Sequence, residues 1–220
     1  MIAVAGAPLA EHLPIPALAL PLDPRLAPPV RAHADMLAFS FRGELFLEEV
    51  YLCENQEILA TWGIPIRPAR TSRSSEYPRD IGLNALSVGR YLFCNARHTA
   101  REILGLEAEI VDVAQGYAAC STLVLAPDLL ITADPSIARA AEKRGLDVLP
   151  IAPGHIRLPG YDTGFIGGAS AVMGDTAYFF GDPSTHPDFA RIEEACVQSQ
   201  LKMQALLDSP LTDLGGVRLL

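Results

Sequence analysis

The strongest constraint on how this chain folds is that it writes one plan several times. Four segments, "AHADMLAFSFRGELFLEE", "YPRDIGLNALSVGRYLFCN", "GYAACSTLVLAPDLLITAD" and "GYDTGFIGGASAVMGDTAYFFGD", open on small or polar residues and pass into an apolar run. Each then turns, at Arg42-Gly43, Val88-Gly89, Pro127-Asp128 or Gly174-Asp175, into a second apolar run: "ELFL", "YLFC", "LLIT" or "AYFF". Two apolar runs joined by Gly or Pro-Asp turn chemistry predict a β-hairpin. A helical stretch and a third extended run follow: "VYLCENQEILATWG" with "IPIRPA", "ARHTAREILGLE" with "EIVDVA", "PSIARAAEKRG" with "DVLPIA". Asp134 is a cap for a helix opening at Pro135, and Gly145 a stop. The longest helical pattern, "STHPDFARIEEACVQSQLKMQALL", follows the fourth hairpin. The repeating unit is strand, strand, helix, strand.

Aligned on Asp35, Asp80, Cys120, Asp162 and Asp213, the copies are spaced by 45, 40, 42 and 51 residues. The fifth runs out after one strand, "DLGGVRLL", while "MIAVAGA" and "ALALPL" near residue 1 both read as strands able to complete it. The predicted fold class is α+β: one domain over 1–220, made of five ββαβ units closed into a ring by the N- and C-terminal strands. The units cover approximately 26–69, 70–114, 115–152, 153–209, and 210–220 with 1–25. Closing the ring removes exposed sheet edges that would otherwise template aggregation. The competing reading is an ordinary α/β domain with hairpins.

Composition excludes several classes of partner. The net charge is −9, and Lys and Arg do not cluster, so a nucleic acid is not expected. No basic leader precedes an apolar run, prolines interrupt "LPIPALALPL", and no stretch is long enough to span a bilayer. The reading is a cytoplasmic protein with no membrane partner. Cys53, Cys94, Cys120 and Cys196 form no CxxC pair, which argues against a zinc site or a disulfide framework. Neither a metal nor an organic cofactor is expected, and no oligomeric state is specified. The glycines of "GFIGGAS" lack a phosphate-loop pattern and point instead to close backbone approach.

A ring brings equivalent residues of its units to a central channel. Asp35, Asp80, Asp162 and Asp213 would then crowd together, and carboxylates so confined need a cation or compensating donors. A guanidinium or amine ligand would supply that charge; Arg79 or another basic side chain could supply it internally; or the aspartates are backbone caps. Cys120, in "GYAACST", is either a nucleophile or a packed small hydrophobe, whereas Cys53, Cys94 and Cys196 read as packing residues. His33 stands two before Asp35, so on a strand both would point the same way, giving a candidate acid and base toward Cys120. His186 reads as a helix-start residue.

These motifs resemble the pentein, or β/α-propeller, superfamily of guanidino-group-modifying enzymes. "QGYAACST", "GYDTGFIGGAS" and "THPDF" look most like an uncharacterised bacterial family of pentein-like proteins. The resemblance implies a Cys nucleophile, a His in a His-x-Asp motif and carboxylates that grip guanidinium nitrogens. "EYPRD" matches the family's Arg-Asp and "GYDT" its His-x-Asp-Thr, which assigns Asp80 and Asp162 to substrate. Two departures stand out: Gly160 occupies the His position, and "DLGGVRLL" lacks the C-terminal Cys. Two functions follow as expectations. One is a Cys-dependent, deiminase-type hydrolase of a small guanidino or amidino compound. Its catalytic residues would be Cys120 and His33, its substrate-binding residues Asp35, Asp80, Asp162 and Asp213, and Cys120 would be the first cysteine labelled. The alternative is a non-catalytic pentein that binds a cationic metabolite or a protein partner.

Overall fold

A computed structural model describes residues 1–220. The strands are β1 (Ala3–Gly6), β2 (Ala17–Leu20), β3 (Ala38–Phe41), β4 (Glu44–Glu48), β5 (Ile66–Ala69), β6 (Leu86–Val88), β7 (Tyr91–Cys94), β8 (Glu109–Asp112), β9 (Thr122–Ala126), β10 (Leu129–Thr132), β11 (Asp147–Pro150), β12 (Ser170–Met173), β13 (Thr176–Phe179), β14 (Lys202–Ala205) and β15 (Arg218–Leu219). They form five three-stranded sheets, β3-β4-β5, β6-β7-β8, β9-β10-β11, β12-β13-β14 and β15-β1-β2. In every sheet the middle strand pairs antiparallel with the first and parallel with the third. A parallel pair cannot be joined by a tight turn, which is why a helix crosses between those two strands in each unit.

The hairpins turn where the sequence places them. Arg42 and Gly43 both adopt positive φ, 48° and 81°, the geometry of a type I′ turn whose twist suits flanking strands. Asp134 accepts hydrogen bonds from the amides of Ser136 and Ile137, capping the helix Pro135–Glu142. The fourth unit's helix is shorter than its pattern suggests, spanning Phe189–Gln198. Gln200, at φ 58°, turns the chain, and Lys202–Ala205 pairs with β13 instead of continuing the helix. Here tertiary pairing overrides local helix propensity. No helix is long and apolar enough to cross a membrane.

The hydrophobic core is split among five clusters, each lying between neighbouring units. Phe39, Phe46, Leu92 and Ile103 join the first unit to the second; Phe93, Val111, Leu130 and Ile137 the second to the third. Leu123, Ile131, Phe179 and Ile192 join the third to the fourth, and Ala5, Leu9, Met173 and Phe180 the fourth to the fifth. Val4, Leu20, Leu37, Leu45 and Tyr51 close the circle. No unit can bury its apolar face alone, so the ring is stable only when complete. At the closing junction Asp23, fully buried, accepts from Arg25 and from Arg73 Nη1 at 2.8 Å, and Arg25 also reaches Glu48. Burial alone would raise the Asp23 pKa, but hydrogen bonds from these two arginines hold it below its ordinary value.

At the axis, a belt of hydrogen bonds runs from unit to unit. The Asp35 amide donates to Gly215 O at 2.9 Å, Gly216 N to Gly168 O at 3.0 Å, and Gly168 N to Cys120 O at 3.0 Å. The third unit meets the second through the Asn84 side chain, whose Oδ1 accepts from Ala119 N at 2.9 Å. Asn84 Nδ2 donates to Asp35 O at 3.0 Å, completing the circuit. The residues two before each first strand are Met36, Asn84, Cys120, Gly168 and Gly216, and these are the true equivalents of Cys120. The sequence alignment on aspartates is therefore out of register in four units.

Glycine is required at two of these positions by space: a Cβ on Gly168 would collide with the Asp213 carboxylate, and one on Gly216 with Gly167 O at 2.8 Å. Asn84 is only 1% exposed. Asn84→Ala orphans a buried carbonyl and a buried amide, and should cost about 2–5 kcal/mol, read as a lower denaturation midpoint. A variant within about 0.5 kcal/mol of the parent, the size of an ordinary surface substitution, would show that the belt carries no stability.

Candidate functional site

The segments that precede the first strands meet at one end of the axis and enclose a pocket of about 160 Å³. His33 and Met36 enter from the first unit, Asp80 from the second, Tyr117 and Cys120 from the third, Tyr161 and Phe165 from the fourth, and Asp213 from the fifth. Of the six residues singled out by sequence, four line it: His33, Asp80, Cys120 and Asp213. Asp35 lies behind the wall, fully buried, beside the Cys120 thiol. Asp162 is the correction. It is exposed, and only its neighbours Tyr161 and Thr163 face the pocket. The loop before β12 is longer than its counterparts and carries Asp162 out to the surface.

His33 is not on a strand, as the sequence reading has it, but precedes the single helical turn Ala34–Leu37. That turn still directs both His33 and Asp35 inward. His33 Nδ1 lies 3.6 Å from Asp213 Oδ1, and one ligating atom from each of His33, Asp35 and Asp213 falls within 4.8 Å of the others. Such spacing lets the three groups share a proton or face a common cation. Both Asp35 oxygens lack a hydrogen-bond partner, whereas Asp213 accepts from Phe165 N at 2.9 Å and Gly215 N at 3.0 Å.

Burial dominates the electrostatics. It raises Asp35, and together with the Asp35 charge it pushes Asp213 up to about 7. Burial lowers His33, partly offset by Asp35, so the imidazole is neutral at pH 7 and free to accept a proton. Cys120 is raised well above the ordinary thiol value, by burial first and then by Asp35 and Asp213. Opposing this, Asn84 Nδ2 donates to Sγ at 2.9 Å, a contact that favours the thiolate. At rest Cys120 is therefore a thiol.

Asp80 faces this group across the pocket. Its Oδ2 accepts from the Tyr117 hydroxyl at 2.7 Å, while Oδ1 is sealed from solvent with no partner. An unpaired buried carboxylate oxygen is costly unless a ligand completes it. Tyr117 lies between Tyr77 and Phe165, their rings tilted against it with centroids 5.8 Å and 6.1 Å away, so the wall near Asp80 is aromatic.

The sequence reading missed Asn84, Tyr117, Phe165 and Arg218. Arg79, offered as an internal counter-charge, is exposed and pairs with Glu76. The internal cation is Arg218, which feels Asp35 and Cys120. Its signal was available: it is a lone charge where the other first strands begin with Ala38, Leu86, Thr122 and Ser170. His186 caps the turn before the fourth unit's helix, with Nδ1 accepting from Asp188 N. Cys94 and Cys196 are buried as expected, but Cys53 is exposed.

The family model that matches this sequence is described as a family of unknown function, DUF6873, and it covers residues 11–218. The chain belongs to that family. Among curated proteins, none matches. Among solved structures, dimethylarginine dimethylaminohydrolase (DDAH) from Pseudomonas aeruginosa, a Cys-to-Ser mutant complexed with citrulline, superposes with a TM-score of 0.59 at 11% identity. The match covers 94% of this chain and 92% of that one. A dimethylarginine dimethylaminohydrolase His-to-Gly adduct with S-methyl-L-thiocitrulline gives 0.56 at 11% identity over the same shares. The DUF6873 chain therefore has the pentein β/α-propeller fold that its motifs resemble.

The pocket's chemistry fixes the order of thiol reactivity. At pH 7.5 an alkylating reagent should modify exposed Cys53 first, with buried Cys120 reacting only slowly even at the pH where an unperturbed thiol ionises. This reverses the order expected from sequence. Peptide mass spectrometry of timed samples reads it out, and early modification of Cys120 would contradict the buried, protonated thiol.

Proposed function

We propose that this pocket binds the planar cationic head of a small guanidino or amidino compound and that Cys120 attacks its central carbon. One observation carries the reading. A cysteine thiol, a neutral imidazole and a carboxylate with an unsatisfied buried oxygen line a single cavity about the size of a guanidinium group and a short tail. A cavity of roughly 150 Å³ is enough to hold a benzene molecule.

Asp80 Oδ1 accepts an N–H of the cation, and the aromatic faces of Tyr117 and Phe165 favour the same charge. The bound cation also lowers the pKa of the thiol and of Asp213, because each of their ionised forms gains an opposite charge. Substrate thereby helps generate its own nucleophile. The Cys120 proton passes to His33, a C–S bond forms at the amidinium carbon, and the tetrahedral adduct expels an amine that takes the proton back. Water, giving one proton to His33, then attacks the same carbon, the C–S bond breaks, and the leaving thiolate takes that proton back to restore the thiol. The second water proton goes to the released amine, so the sum is guanidinium plus water giving a urea-type product and an ammonium ion. The citrulline complex of P. aeruginosa DDAH, a ureido compound bound within the same fold, supports this class.

The test is a panel of free guanidinium, methylguanidine and arginine, followed by calorimetric titration and by ammonia or amine release. Wild type should bind at least one member and turn it over. Asp80→Asn should lose about 10- to 100-fold in affinity, the worth of a charge-assisted hydrogen bond. Cys120→Ser should still bind but release no amine. Binding without turnover in the wild type would identify a non-catalytic cation receptor, and absence of binding would end the proposal.

A pH dependence follows from Asp213, whose folded value near 7 lies above its unfolded one. The stabilisation it gives as a neutral acid is present below about 4, its unfolded value, and is lost as pH rises through about 7. A cation prefers the ionised form, so its affinity should rise between pH 6 and 8 with proton release. Titrations in buffers of different ionisation enthalpy measure that release.

A further inference from the structure

The axial channel has a second cavity, on the hairpin side of the hydrogen-bonded belt, of about 220 Å³. The two cavities share no residue. In each unit the thiol pocket takes its lining from the segment leading up to the belt, while this one is lined by the first strands β3, β6, β9, β12 and β15 and residues just before them. Arg218 is the only charged residue in its wall; the carboxylate that it feels, the buried Asp35, is not part of that wall. Around it stand the hydroxyl-bearing residues Ser40, Ser87, Thr122 and Ser170.

Two groups there are unsatisfied. Thr122 is 2% exposed, and its Oγ1 is buried with no hydrogen-bond partner. Arg218 Nε is likewise sealed without an acceptor. Arg218 and Thr122 both line this cavity, each carries an unsatisfied polar atom, and no acidic residue stands in its wall, which makes them the donor half of an oxyanion site. Ser170 is already committed, donating to Ile166 O at 2.6 Å, so Ser40 and Ser87 are the hydroxyls left to assist. The third and fifth units provide the core of the site, and the belt lies between it and the thiol pocket.

We propose that this cavity binds a small oxyanion, such as inorganic phosphate, sulfate or the carboxylate of a small metabolite, through Arg218 and Thr122. The site lies on the opposite side of the belt from the thiol pocket and does not depend on the reaction assigned to that pocket.

Calorimetric titration at low ionic strength, with inorganic phosphate, sulfate and acetate as separate probes, tests it. Wild type should bind at least one probe at one per chain, and the ranking of the three tells a tetrahedral oxyanion from a carboxylate. Arg218→Gln should weaken the best probe at least tenfold. Thr122→Val, nearly the same shape and leaving the charge in place, should weaken it several-fold, and it guards against an Arg218 variant that does not fold. Cys120→Ser and Asp80→Asn should bind the anion as wild type does, which separates this site from the cation pocket. No binding of any probe by wild type would overturn the proposal. So would unchanged affinity in Thr122→Val together with Arg218→Gln, since the anion would then sit elsewhere, for instance near Arg97 and Arg101 on the surface.

Discussion

Everything in this molecule depends on the belt of hydrogen bonds at the axis. Five short sheets radiate from it, and the apolar clusters between them are non-directional: they press neighbouring units together without fixing how far each projects inward. The belt supplies that direction. Four of its links use backbone amides, through Asp35, Ala119, Gly168 and Gly216, and one uses the side-chain amide of Asn84. Because Asn84 both donates and accepts, a single side chain bridges the first and third units across the second. The two glycines let backbone approach where any larger residue would push the Asp213 carboxylate or the Gly167 carbonyl aside.

A belt made this way need not be chemically symmetric, and it is not. Its five equivalent positions carry a thioether, an amide, a thiol and two hydrogens, so only one unit offers a nucleophile. The acids gather on one side of the belt and the hydroxyls with Arg218 on the other. Asp35 sits between, fully buried, feeling His33 and Arg218 as well as the thiol. The axial channel is thereby divided into an acidic end and a basic end.

The sequence revealed the ring because hairpin turns and helix caps are local. Arg42-Gly43 and Gly174-Asp175 announce their turns, Asp134-Pro135 announces its helix, and the strands near both termini show how the ring closes. The register at the axis was harder to see, because the equivalent residues Met36, Asn84, Cys120, Gly168 and Gly216 share no chemistry an alignment could seize. Aspartates offered a false register: Asp35 lies 3 residues before its strand and Asp162 lies 8 before its own. The second of these distances is enough to carry a side chain from the channel to the surface. Cys53 misled for a related reason, since a cysteine beside Leu52 reads as core although the short helix Glu49–Glu54 turns it outward. Arg218 escaped notice because a lone arginine in a strand normally faces solvent.

The most direct measurement of this architecture is amide hydrogen exchange at Gly168 and Gly216. If these two amides join three units at a buried axis, they should be among the slowest in the protein and exchange only when the whole ring opens, with equal free energies that fall together in denaturant. Rapid exchange at either one, with the sheet amides still protected, would mean that the units are held by their apolar contacts alone and that the axis does not fix the pocket.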